Sequence, residues 1–93
     1  MPTTIIIKSN VSLNRTEGPK MVLPSSVRNV EDLLVHIGKE IGFVFLDAQT
    51  GKLRPDIDIL VNGKEIWFYP QGLKKPVFDG DSIDITLIPL GGG

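Results

Sequence analysis

The chain has 93 residues, with ten Lys and Arg against eleven Asp and Glu, one histidine, no cysteine and a net charge of −1. That length fits a single small domain burying roughly 60–65% of its unfolded surface. Without cysteine there is no disulfide, thiolate nucleophile or thiolate metal ligand; the lone His36 excludes a multi-histidine metal site, and the balanced charge argues against a general nucleic-acid or anionic-membrane binder.

Residues 3–9 predict a strand. Thr3, Thr4, Ile5, Ile6 and Ile7 are all β-branched, which suits a pleated surface, and apolar character on both faces predicts a central place in the sheet. The apolar run before Lys8 is too short for a secretory signal, and residues 41–46 fall far short of the ~20 that span a bilayer, so a soluble cytoplasmic protein is expected. Residues 10–19, rich in Asn, Ser, Gly and Pro, read as a surface connection. Residues 20–23 form a second strand, ended by Pro24, and complete a hairpin.

From Val30 the period changes. Val30, Leu33, Leu34, Ile37 and Ile41 make one helical stripe, with Asn29 as N-cap, Glu31 and Asp32 in the first turn and Gly42 as the terminating glycine. Gly38 within the helix predicts a close approach of helix to sheet. Residues 43–46 read as an extended segment and residues 47–55 as turn-rich chain. Ile57, Ile59 and Val61 alternate with acidic and apolar neighbours as a strand that ends at Asn62-Gly63, a type I′ turn signal. Residues 64–69 return as a short strand until Pro70 and Gly72 break it, and Asp79-Gly80-Asp81 is a second tight turn. Ile83, Ile85 and Leu87 then alternate with polar residues in the most regular strand of the chain.

The order β-β-α-β-(β)-β predicts an α+β fold: a mixed sheet of four to five strands with one main helix across one face, the last strand inside the sheet and parallel to the first. Residues 1–87 are the expected domain and residues 88–93 a flexible tail ending in Gly91-Gly92-Gly93. Six extended residues reach on the order of 20 Å. Glycines without Cβ suit passage through a narrow channel, and Pro89 stiffens the start by fixing one φ.

Ile59-Leu60-Val61-Asn62-Gly63, then Phe78-Asp79-Gly80-Asp81-Ser82-Ile83, then a glycine-glycine end, resembles the small β-grasp sulphur carriers and modifiers. These include the molybdopterin-synthase small subunit MoaD, the thiazole-synthesis carrier ThiS, and the ubiquitin-related and small archaeal modifiers. Leu53-Arg54-Pro55 looks most like the ubiquitin-related branch, and Ile88-Pro89-Leu90 more like MoaD. The resemblance spans Val30 to the C-terminus and implies the ubiquitin-like β-grasp fold.

It also implies a carrier rather than an enzyme, such as the small non-catalytic subunit of a synthase. An E1-like adenylating partner of the MoeB or ThiF type would use ATP and Mg²⁺ to activate the C-terminal glycine. A sulphur donor would then convert it to a thiocarboxylate for an acceptor synthase or a tRNA-thiolation enzyme, in molybdopterin, tungstopterin, thiamine or tRNA pathways. In the family, eleven residues follow the Asp-Gly-Asp turn and end on Gly-Gly; here Ser82 to Gly92 fills that span and Gly93 is one more. The acyl group is therefore Gly93, or Gly92 after removal of Gly93. Pro89, Leu90, Gly91 and Gly92 would thread the partner's site, and Ile88 and Arg54, with Lys52, would help docking. No metal or cofactor is expected on the chain, which would be a monomer when free.

Two other readings stand beside this one: a modifier that forms isopeptide bonds with target lysines, and a non-covalent interaction module with an incidental glycine end. His36 reads as a solvated or partly buried helix residue, and Asp79, Asp81 and Asp84 as turn and strand residues without the spacing of a calcium loop. Trp67, Phe68 and Tyr69 are expected in core or rim packing rather than in base stacking.

Overall fold

The computed structural model describes residues 3–10 and 20–88. In chain order these form β1 (Thr3–Ser9), β2 (Lys20–Leu23), α1 (Val30–Ile41), β3 (Ile57–Val61), β4 (Lys64–Glu65) and β5 (Ser82–Leu87), with short 3₁₀ turns at Ile66–Phe68 and Gly72–Lys74. The strands make one mixed sheet in the order β2-β1-β5-β3-β4. β1 pairs antiparallel with β2 and parallel with β5, placing Ile7 opposite Ile83. On its other edge β5 runs antiparallel to β3, with Ile85 opposite Ile59.

α1 starts where the sequence offers a cap: Asn29 Oδ1 accepts from the Asp32 N–H at 2.8 Å. It ends at Gly42, whose φ of 69° is the left-handed conformation that glycine takes without strain. The helix stripe Val30, Leu33, Leu34 and Ile37 is buried together with Ile5, Ile7, Ile57, Ile59, Val61, Ile83 and Ile85 of the sheet. Among the described residues no polar side chain is buried, and no helix is long and apolar enough to cross a membrane. This is the expected ubiquitin-like β-grasp architecture, with all five strands present.

Three local expectations are corrected. β1 lies inside the sheet, but the middle strand is β5, and Ile6 is 36% exposed, because the single helix covers only one face. Residues 43–46, expected as an extended segment, lie outside the helix and the sheet and meet the following turn through one bridge, Leu46 to Leu53, while Phe45 fills the core. The strand after Asn62-Gly63 stops at Glu65, because a 3₁₀ turn there buries Ile66 and lets the Tyr69 hydroxyl donate to the Val61 carbonyl at 2.7 Å. The close approach at Gly38 is to the returning chain and not to the sheet: a Cβ there would overlap the Phe43 carbonyl oxygen.

Candidate functional site at the tail root

The two turn motifs that carry the resemblance meet in space and are structural. Asn62 has φ 54° and Gly63 φ 82°, as a type I′ turn requires. Asn62 Oδ1 accepts from the Ser82 N–H at 2.9 Å and its Nδ2 donates to Asp81 Oδ1 at 3.0 Å. Asp81 Oδ2 accepts from the Phe78 N–H at 2.8 Å, and Asp79 Oδ1 from the Thr4 N–H at 2.7 Å. Their carboxylates thus serve backbone N–H groups, and among the described residues no cluster of acids and histidine is suited to a metal. Together these bonds set the start and register of β5.

The far end of β5 is held on both edges. Beyond the last β1 pair, Ser9 with Ile85, the Asn10 side chain continues the ladder: Oδ1 accepts from the Leu87 N–H at 2.8 Å and Nδ2 donates to the Leu87 carbonyl at 2.9 Å. On the opposite edge the Ile88 N–H donates to the Asp56 carbonyl at 2.7 Å. Leu87 and Ile88 are therefore fixed at the end of the sheet, and Ile88 stands half exposed there.

Arg54 joins this root through Asp56. Its Nη2 and Nε lie 2.7 and 3.1 Å from the two carboxylate oxygens of Asp56, a two-pronged ion pair, while Nη1 donates to the Val44 carbonyl at 3.2 Å. The guanidinium carbon sits 5.0 Å from the centre of the Phe43 ring, within cation–π range. The residues before Arg54 are braced by Asp47, whose Oδ1 accepts from the N–H groups of Gln49 and Thr50 at 2.8 and 3.0 Å. Those donors, Thr50 first and then Gln49, hold the Asp47 carboxyl below its ordinary range.

Of the expected site residues, Ile88 and Arg54 both bond Asp56, Ile88 through the Asp56 carbonyl and Arg54 through its carboxylate. Lys52 lies two residues before Arg54, on the same strap of chain. Pro89, Leu90, Gly91, Gly92 and Gly93 lie outside the described residues. Asn10 and Asp56 were missed. The signal for Asp56 is its opposite charge two residues from Arg54, across the Pro55 turn that the Ile57 N–H closes on the Arg54 carbonyl at 3.1 Å. For Asn10, a lone amide after a strand carries no such pointer. His36 sits beside the buried stripe, half exposed, 3.3 Å from Glu40. Trp67 and Phe68 are 60% and 67% exposed and are not core residues.

No family model matches the chain, and no curated protein matches it in sequence. Solved structures do match it closely in fold. Small archaeal modifier protein 1 from Methanosarcina acetivorans superposes with a TM-score of 0.67 at 23% identity, covering 99% of both chains. Urm1 from Trypanosoma brucei gives 0.62 at 24% identity over 98% of this chain and 97% of its own. A Pyrococcus furiosus protein assigned as subunit 1 of a molybdopterin converting factor gives 0.56 at 18% identity, over 94% and 99%. The likeness is one of fold, the β-grasp that the turn motifs implied.

Proposed function

We propose that this chain, which has the ubiquitin-like β-grasp fold of small archaeal modifier protein 1 and Urm1, is a carrier whose C-terminal glycine is activated by an E1-like adenylating enzyme and converted to a thiocarboxylate. The observation that supports this most is the clamped exit of β5, with Asn10 on one edge and Asp56 on the other, ahead of a sequence that ends in Gly91-Gly92-Gly93.

A carboxylate is a poor electrophile because its oxygen is a poor leaving group. Attack of a terminal carboxylate oxygen on the α-phosphorus of ATP releases pyrophosphate and makes an acyl adenylate, from which AMP departs easily. Hydrosulphide, or a donor at that oxidation level, then attacks the carbonyl carbon, the bond to AMP breaks, and loss of the sulphur proton leaves a thiocarboxylate on the glycine. With no cysteine, this chain can carry sulphur only there. ATP, Mg²⁺ and the catalytic groups belong to the partner, and the acyl group is Gly93, or Gly92 once Gly93 is removed.

The body's task in this reading is orientation. Ile88 offers an apolar contact at the exit, and Arg54, held by Asp56 and Phe43, offers a fixed cation on the segment that pairs with it. Pro89, Leu90, Gly91 and Gly92 enter the partner's site. Conjugation to a target lysine starts from the same acyl adenylate, and the likeness to a small archaeal modifier favours testing for it.

Deletion of Gly91, Gly92 and Gly93 is expected to leave the fold intact by NMR and to abolish AMP transfer by a cognate E1-like enzyme. Undiminished transfer would overturn the carrier reading. Intact mass from the native host separates the chemistries: replacement of one oxygen by sulphur supports the thiocarboxylate, and a glycine remnant on other proteins' lysines supports conjugation.

A further inference from the structure

A groove of about 650 Å³ opens on the side of the molecule, between the strap that carries Lys52 and Leu53 and the segment that carries Trp67, Tyr69, Gly72 and Leu73. Its volume is within the ~300–1,000 Å³ typical of ligand sites, but it is an open trough, a shape that suits a length of peptide better than an enclosed small molecule.

Its walls are pre-formed. Trp67 is 60% exposed, a large apolar residue left outside the core. Gly72, at φ 55°, runs beside the Trp67 ring, and even a Cβ there would lie 3.6 Å from its edge, so the backbone passes close against it. Tyr69 is fixed by its hydroxyl on the Val61 carbonyl. The ammonium groups of Lys64 and Lys75 stand 5.1 and 4.9 Å from the Tyr69 ring centre, within cation–π range. Rigid Trp and Tyr side chains are the residue types that anchor interfaces, since they bury much area for little lost freedom.

The electrostatics select the occupant. Among the described residues that line the groove, Lys52 carries the one charge, and none is a carboxylate. Lys64 and Lys75 add positive charge around Tyr69, in a protein whose net charge is −1. An anionic chain is attracted here, and the exposed indole between Leu53 and Leu73 takes an apolar side chain.

We propose that this groove is a second docking site, which takes an acidic segment of a partner protein anchored by one large apolar side chain on Trp67. Neither Ile88 nor Arg54 lines it, and of the expected docking residues it takes Lys52 alone.

Trp67 is the only tryptophan, so its emission reports occupancy directly. The probe is a short capped peptide with one phenylalanine among glutamates, titrated into the full chain. Its counterpart has lysines for the glutamates, and AMP is a third arm. The acidic peptide is expected to shift Trp67 emission saturably and to move the amide resonances of Lys52, Trp67 and Gly72. Added salt should weaken it, and Lys52→Glu should weaken it about fivefold, as loss of one interfacial ion pair implies. Lys39→Glu, the same charge change on α1, should leave binding unaltered. No response up to about 1 mM peptide, the weak limit of specific association, overturns the proposal. Equal binding of the lysine peptide also overturns it, as does a saturable response to AMP without one to the acidic peptide.

Discussion

Asn10 brackets Leu87: one side-chain amide receives the Leu87 N–H at 2.8 Å and donates to its carbonyl at 2.9 Å, replacing with a side chain the ladder that β1 no longer supplies. Asn10→Ala removes both bonds. The expected cost is about 1 kcal/mol, which raises the local opening equilibrium about fivefold. Hydrogen exchange at the Leu87 amide checks it, and exchange at Ile85, deeper in β5, should change less. An unchanged Leu87 rate would mean that the bracket does not hold the exit in solution.

Arg54 and Asp56 form a two-pronged pair with side chains 38% and 20% exposed, so solvent screens part of their attraction. A double-mutant cycle of Arg54→Ala and Asp56→Asn is expected to give a coupling of about 0.5–1.5 kcal/mol in urea denaturation. Arg54→Lys should recover little of it, because an ammonium cannot span both carboxylate oxygens. Full recovery by lysine would show that charge alone matters at the root.

Gly38→Ala should destabilise the protein even though alanine is the better helix former by about 1 kcal/mol. The new methyl would overlap the Phe43 carbonyl, whose chain also donates from the Phe43 N–H to the Gly38 carbonyl at 3.0 Å. Relief of that overlap has to shift the return from α1, for an expected net loss of about 1–3 kcal/mol by chemical denaturation. A gain in stability would show that the return gives way freely.

Asp47 offers a pH test. Its folded pKa lies below the ordinary 3.8 because the Thr50 and Gln49 N–H groups bond the carboxylate. A depressed folded pKa contributes stability that is present above 3.8 and is lost as pH falls through the lower, folded value. An NMR titration should show the Gln49 and Thr50 amides moving together, with a midpoint below 3.8, and Asp47→Asn should remove that transition. A midpoint at or above 3.8 would contradict the bonding seen here.

Local patterning made much of the fold readable in the sequence. The bounds of β1, β2, α1 and β5 follow from β-branched runs, one helical stripe with its caps, and strict alternation, because each is set by neighbours within a turn or a strand. The Asn62-Gly63 and Asp79-Gly80-Asp81 turns were equally legible, since they depend on backbone angles that few residues adopt. The absence of cysteine also excluded, without any structure, a disulfide or a cysteine persulphide on these 93 residues.

Only the tertiary structure decided what surrounds the end of β5. Asn10 and Leu87 are 77 positions apart, and no periodicity relates a side-chain amide after the first strand to the backbone of the last. Arg54 drew notice in the sequence, but its partners Asp56, Val44 and Phe43 are set by how residues 43–56 fold back on themselves. Residues 64–69 looked like a strand until burial of Ile66 turned the chain and put Trp67 outside. In each case a contact distant in sequence, whose energy depends on packing, overrode or completed the local preference.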